Sequence, residues 1–242
     1  MWYCKITTSY ISVVKIIIFL IGVTLTKNKI LSRNWPFIIS LSLSLHVKSL
    51  EMKKLFYIDA CLRNGSNTKK IADAIIDKLS EKYEIETVRL SECSFPVVKN
   101  DILNDRNNGI VPEEYVAMAK KLAAADRLVI AAPFWDMSFP SALKVFFENM
   151  SLFNVTFAST DKECYGLCKA EKVLYITTRG MNISTGDDLE QATPYIKALS
   201  KLWGLGELHV ISAQNMDYST DEQKTEKVDN AIEEGLKLCE DF

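Results

Sequence analysis

The sequence predicts an α/β protein: a three-layer sandwich in which one five-stranded parallel sheet carries helices on both faces. Three observations lead there. From Lys53 onward, short apolar runs bounded by turn residues alternate with longer segments of helical period. The first run, KKLFYIDA, is nearly continuous in apolar residues, as a parallel strand covered on both faces must be. Strand and helix then keep alternating along the chain, the pattern of crossover units on a single sheet.

Each element has its own local reason. SNTKKIADAIIDKLSEKY places Ile71, Ala74, Ile75 and Leu79 on one helical face. YEIETVRLSE alternates like a strand, and the stretch from Cys93 to Pro112, rich in acids, asparagine and proline, reads as a long loop. VPEEYVAMAKKLAAA opens a helix with proline and two acids in its first turn, both favourable there. DRLVIAAP is the third strand, and FPSALKVFFENM begins a helix behind a second proline. AEKVLYITTRG, a helix over roughly residues 188 to 203, GELHVISAQNM and a final helix from Thr220 complete five strands and five helices.

Residues 1–51 do not match the rest. They hold a single acid, Glu51, and the apolar run IIIFLIGVTL between Lys15 and Lys27, which suits either an anchor segment or an extension ahead of a natural start at Met52. The expected organisation is an N-terminal extension, 1–51, followed by one domain, 52–242; contact with a membrane depends on that run being a real anchor.

Composition excludes several function classes. The 242 residues are 48% hydrophobic and 25% charged, and 29 Lys and Arg nearly balance 31 Asp and Glu, so no nucleic-acid partner held by bulk charge is indicated. Six cysteines form no CxxC pair, which argues for reduced thiols in a cytoplasmic protein and against a zinc site or disulfide framework; Cys164 and Cys168, four apart in ECYGLCK, lack histidine partners for a metal. His209, in GELHVISA, reads as a partly buried structural histidine. GxSxG is absent and neither histidine suits a triad, so a hydrolase fits poorly.

Open parallel sheets bind ligands where loops leave the carboxyl ends of the strands, which narrows the search to residues 60–68, 133–140 and 178–187. ACLRNGSNTKK lacks both GxGxxG and GxxxxGK[ST]. It does supply Gly65 for an unusual turn, then Ser66, Asn67 and Thr68 at a helix start with Arg63 nearby, a set able to cradle a phosphate or simply to cap the helix. In APFWDMSFP, Pro133 and Pro140 fix both ends of a segment whose Phe134, Trp135 and Met137 can pack on a planar ring, or plug the sheet end. In TTRGMNISTGDD, Thr177, Thr178 and Arg179 bring hydroxyls and a cation, and Gly180 permits close approach of a ligand to the backbone, although such residues also make ordinary loops.

The three motifs in order resemble those of the FMN-dependent NADH azoreductases and the related flavodoxin-like NAD(P)H quinone reductases, over nearly all of residues 52–242. APFWDMSFPSALKVFFENM is similar to their APM[YW]N-x-x-x-P-x-x-LK segment, ACLRNGSNTKKIAD to their S-x-R-x-x-S-x-[ST] loop, and KVLYITTRGM to their T-x-RGG strand end. The resemblance implies a flavodoxin-like fold with bound FMN. It puts the phosphate against Cys61 (where serine is common), Arg63, Ser66, Asn67 and Thr68. It puts the isoalloxazine ring between Pro133, Phe134, Trp135, Asp136 and Met137 on one side and Thr178, Arg179, Gly180 and Met181 on the other. The implied activity is ping-pong transfer of hydride from NADH or NADPH, through the flavin and with no side-chain catalyst, to a small-molecule acceptor such as a quinone or azo compound. It also implies a homodimer in which Phe147, Phe153 and Phe157 face a partner, core packing being an equal reading for Phe147. Asp136 and Met181 depart from the pattern, where asparagine and a second glycine are usual, and NVTFASTDKECYGLC occupies the place of a hairpin over the pocket. A flavodoxin-like electron carrier and a flavin-free interaction protein are the alternatives.

Overall fold

The computed structural model describes residues 52–242; expectations for residues 1–51 lie outside the described residues. The elements, in chain order, are β1 (Lys53–Asp59), α1 (Asn67–Leu79), β2 (Tyr83–Arg89), α2 (Asn100–Asn107), α3 (Glu113–Ala124), β3 (Arg127–Ala131), α4 (Ser141–Met150), β4 (Phe157–Ser159), β5 (Cys164–Gly166), β6 (Lys172–Thr178), α5 (Ala192–Trp203), β7 (Glu207–Ala213) and α6 (Asp221–Leu238). The main sheet runs β2-β1-β3-β6-β7 and every pair in it is parallel. Among the described residues, no helix is long and apolar enough to cross a membrane.

The unbroken apolar runs are explained by the two packed faces. Along β1, Phe56 and Ile58 enter one core while Leu55 and Tyr57 enter the other; Leu128 and Ile130 alternate with Val129 and Ala131 in β3, and Val173 and Tyr175 with Leu174 and Ile176 in β6. Ile71, Ile75 and Leu79 of α1 and Val228 and Ala231 of α6 cover one face. Ala119 and Leu122 of α3, Phe146 and Phe147 of α4, and Ile196 and Trp203 of α5 cover the other. Burying such side chains stabilises the fold by about 1.5–3 kcal/mol each relative to exposure. Close packing of α1 on α6 depends on Gly235, where a Cβ would lie 2.3 Å from Ile75 Cδ1.

Two expectations are corrected, and the open choice at Phe147 is settled. The stretch from Cys93 to Pro112 is not all loop: Asn100–Asn107 is helical, which makes six helices among the described residues. That helix buries no residue and has no apolar stripe to advertise it; it is fastened from one side by Arg106, which donates to Glu148 O at 2.9 Å and Asn149 Oδ1 at 3.1 Å. The helix expected from residue 188 begins at Ala192. Phe147 is fully buried against Phe139, Tyr195 and Trp203, so it belongs to the core and not to a partner-facing pocket. Phe153, by contrast, is exposed and packs edge-on to half-buried Phe157. The hairpin segment forms as expected, β4 pairing antiparallel with β5.

Candidate functional site

Strand order reverses between β1 and β3, since the chain moves outward from β1 to β2 and then returns past β1 to β3. That switch point opens a crevice at the carboxyl ends of β1 and β3. Backbone bonds stitch the loops there into one rim: Ala60 N donates to Ala131 O (2.8 Å), Ala132 N to Ile176 O (3.0 Å), Phe134 N to Thr178 O (3.0 Å) and Arg179 N to Ala213 O (2.8 Å).

The first loop turns at Gly65 (φ +71°) and enters α1 with Ser66 as N-cap, its hydroxyl accepting from Lys69 N at 3.3 Å. The amides of successive residues from Leu62 through Thr68 have no acceptor among the described residues. The first turn of α1 carries no carboxylate, whereas α3 and α6 each start with two. A row of unpaired N–H groups at the positive end of a helix dipole is an anion cradle, and exposed Arg63 beside it adds a full charge. Asn67 is half-buried.

Two predicted members contribute differently than their side chains suggest. Thr68 is fully buried and its hydroxyl is 2.7 Å from the Thr178 hydroxyl, so it links the first loop to the third. Cys61 is buried with Sγ 3.8 Å from Ala131 O, and burial first, then the nearby Asp59 carboxylate, pushes its thiol up to about 12. A neutral, inward-turned thiol supports the loop without presenting charge to it. Beneath the same loop, Asp59 (3% exposed) accepts from Cys61 N at 3.0 Å and pairs with Lys69 Nζ at 2.9 Å. Sequence reasoning missed this carboxylate, although a lone acid closing the apolar run KKLFYID was a visible signal.

The second loop is a two-residue reverse turn. Trp135 N donates to Ser138 O (3.0 Å) and Ser138 N to Trp135 O (2.9 Å), and the residues between them, Asp136 (φ 48°) and Met137 (φ 62°), are both left-handed. Positive φ at both central positions defines a type I′ turn, usually built from Asn-Gly. Here neither residue is glycine, which costs about 1–2 kcal/mol per left-handed L-residue, less for Asp. The turn holds Trp135 out (41% exposed) over buried Pro133 and half-buried Phe134, and it leaves the Asp136 and Met137 amides without acceptors among the described residues. Strained backbone persists where surrounding structure over-determines it, often at ligand clamps.

In the third loop Arg179 is fully buried: its guanidinium donates to Ile183 O (3.1 Å) and Thr185 Oγ1 (2.9 Å) and lies 5.8 Å from the centre of the Phe134 ring. It braces the loop from within and does not offer its charge at the surface. Gly180 needs its missing side chain for packing, because a Cβ there would lie 2.0 Å from Asp217 Oδ2, so it is the Asp217 side chain that approaches this backbone. Asp217 N also donates to Gly180 O, and Asn215 N to Met181 O, both at 2.9 Å. The Gly180 and Met181 amides have no acceptors among the described residues, and Thr178, Gly180 and Met181 are half-buried.

The geometry therefore gathers at neighbouring strand ends a row of unpaired amides at the start of α1, a strained turn carrying Phe134 and Trp135, and unpaired amides at Gly180 and Met181, groups suited to a phosphorylated planar heterocycle. Among the described residues, no group of three or more metal-ligating side chains converges.

Comparison with known proteins agrees with this architecture. Residues 53–236 match the model of a family described as having a flavodoxin-like fold. The chain is 28% identical over 205 residues to FMN-dependent NADH:quinone oxidoreductase 2 of Clostridium perfringens, covering 79% of this chain and 100% of that protein. It is 29% identical over 201 residues to the corresponding Clostridium acetobutylicum protein, with the same coverage. Among solved structures, an azoreductase from Bacillus anthracis superposes with a TM-score of 0.67 at 19% identity, over 79% of this chain and 100% of that one. An FMN-dependent NADH-azoreductase from Bacillus anthracis in complex with FMN gives 0.67 at 22% identity, over 78% and 98%.

Proposed function

Because the chain belongs to the flavodoxin-like-fold family over residues 53–236, we propose that it is an FMN-dependent NAD(P)H oxidoreductase that reduces quinones, azo compounds or similar electron-poor acceptors. The observation that carries the reading is that unpaired amides run from Leu62 to Thr68 after β1 and that the left-handed turn after β3 leaves the Asp136 and Met137 amides unpaired, β1 and β3 being the two strands that flank the switch point. Relatives spanning their whole length carry the same activity in their names.

In this reading Arg63 and the amides of Ser66, Asn67 and Thr68 hold the FMN phosphate. Phe134, Trp135 and the Asp136 and Met137 amides meet one edge of the ring, and Thr178, Gly180 and Met181 the other. Bound flavin supplies hydride chemistry; the protein binds it, orients it and excludes water from it. No side chain of the site is asked to act as nucleophile or general base. Asp136, exposed at the turn tip, places a carboxylate near the ring and disfavours negative charge on it. The domain of residues 52–242, a ping-pong sequence, a homodimer using the exposed Phe153 face and a cytoplasmic location belong to the same reading.

The test is steady-state turnover of NADH with benzoquinone by FMN-loaded protein. Parallel double-reciprocal lines support the reading. Bound FMN without NADH oxidation favours an electron carrier, and inability to bind FMN leaves a flavin-free interaction protein.

A further inference from the structure

One fully buried acid has no role in the site as described so far. Glu190 is 0% exposed; its Oε1 accepts from Thr193 N at 2.9 Å, starting α5, while its Oε2 has no partner among the described residues. Arg179, equally buried, has an orphaned Nε. The two bracket one loop. Residues 179–190 leave β6 at Arg179 and return at Glu190, and the next residue, Gln191, donates its amide to Met137 O at 2.9 Å. That bond, with Phe134 N donating to Thr178 O and the Arg179 guanidinium beside the Phe134 ring, joins the loop to the strained turn.

A buried guanidinium whose direct partners are the neutral Ile183 O and Thr185 Oγ1 needs an anion within the same low-dielectric region. Burial pushes the Arg179 pKa down, and the charge of Glu190, then Tyr175, opposes that fall. We propose that Glu190 is a positioning residue: its buried carboxylate acts on Arg179 to hold the 179–190 loop against the Trp135–Ser138 turn, and so keeps Asp136 and Met137 left-handed with their amides unpaired. The purpose assigned to the turn rests on the flavin reading; the coupling of Glu190 to Arg179 and to the turn is proposed for the protein without ligand and does not depend on that reading.

This has a direct chemical meaning. Two successive left-handed L-residues revert to commoner conformations unless their surroundings forbid it. The carbonyl of Met137 accepts from the amide next to Glu190, so a loop loosened at Glu190 is expected to release the turn before the rest of the fold.

The experiment uses the full chain without added flavin, comparing wild type, Glu190→Gln, Glu190→Asp and Tyr83→Phe by hydrogen exchange with mass spectrometry. Tyr83→Phe removes a hydroxyl bond to Phe242 O at the opposite end of the sheet and serves as a control for general destabilisation. Glu190→Gln is expected to speed exchange across 134–138 and 179–192 by tenfold or more with β1 unchanged, Glu190→Asp to recover part of the protection, and Tyr83→Phe to leave both segments as in wild type. Exchange in those segments unchanged by Glu190→Gln, or raised equally everywhere, overturns the proposal. A second measurement covers variants that fold poorly: in denaturant unfolding, Arg179→Met and Glu190→Gln together should cost at least tenfold less in the unfolding constant than the product of the two single effects, and simple multiplicativity overturns the proposal. FMN affinity is then read separately. With wild type binding FMN, Glu190→Gln should weaken it tenfold or more while Tyr83→Phe does not, and equal weakening by both counts against positioning. A wild type that binds no FMN refutes the flavin reading, and the exchange and coupling results still decide the role of Glu190.

Discussion

Replacing Thr68 by valine should loosen the join between the first and third loops. The Thr68 hydroxyl lies 2.7 Å from that of Thr178, in a position with no solvent exposure for Thr68, so valine keeps the shape and removes the bond. A neutral hydrogen bond contributes about 0.5–1.5 kcal/mol, and a partner left unsatisfied in a buried place costs about 1–3 kcal/mol. Thr178 is half-buried and regains water in part, which puts Thr68→Val near 1–2 kcal/mol. In a domain of this size each kcal/mol moves Tm by roughly 2–4 °C, so a fall of about 2–8 °C is expected by differential scanning calorimetry. Thr178→Val should cost about 1–3 kcal/mol, at least as much as Thr68→Val, because it orphans the fully buried Thr68 hydroxyl. Removing both groups leaves nothing unpaired, so the double variant should be little worse than either single, with a coupling of about 1 kcal/mol. Additive losses would refute the reasoning, since two hydroxyls that do not bond each other have no coupling to lose. In the proposed reading FMN affinity should fall in both single variants, because the bond joins the loop assigned to the phosphate to the loop assigned to one edge of the ring.

Further outcomes follow from the buried groups. Burial pulls the Lys69 pKa down, but the Asp73 and Asp59 carboxylates outweigh it and raise the value in the fold; the stability from this pairing is therefore complete below the ordinary lysine range and lost as pH rises through the raised pKa. The stability gap between wild type and Asp59→Asn, measured by urea unfolding, should accordingly persist upward from neutral pH and shrink at strongly alkaline pH, and a gap that shrinks as pH rises near neutrality contradicts this. Gly235→Ala forces a Cβ to 2.3 Å from Ile75 Cδ1 and should cost about 1–3 kcal/mol by overpacking. Ile75→Val, which removes that methyl, should restore most of the loss in chemical denaturation. The thiols of Cys61 and Cys168, both pushed up to about 12 by burial, should resist alkylation in the native protein at neutral pH while exposed Cys93 and Cys164 react, as peptide mapping by mass spectrometry can show.

The layered fold was legible because its signal is local and repeated: apolar runs such as LFYI and LVIA, separated by helical periods, permit few other arrangements. The switch-point loops were legible for the same reason, since strand ends mark where ligands bind. The helix at Asn100–Asn107 was not, because a short polar helix held by one arginine has no stripe to read. Arg179 carries the opposite lesson. An arginine beside glycine in a polar loop reads as an exposed cation, and only tertiary packing reveals that Ile183 O, Thr185 Oγ1 and the Phe134 ring enclose it. Likewise Asp136-Met137 has none of the glycine that usually marks a left-handed turn, so its conformation is imposed by neighbours far along the chain, Thr178 and Gln191 among them.

The most direct test of the central claim is the visible absorbance spectrum of the purified full-length chain, with the cofactor identified after its release by denaturation. The reading predicts a flavin spectrum and close to one equivalent of FMN per chain, with binding weakened when Arg63 is replaced by alanine. A colourless protein that cannot be reconstituted with FMN would contradict it.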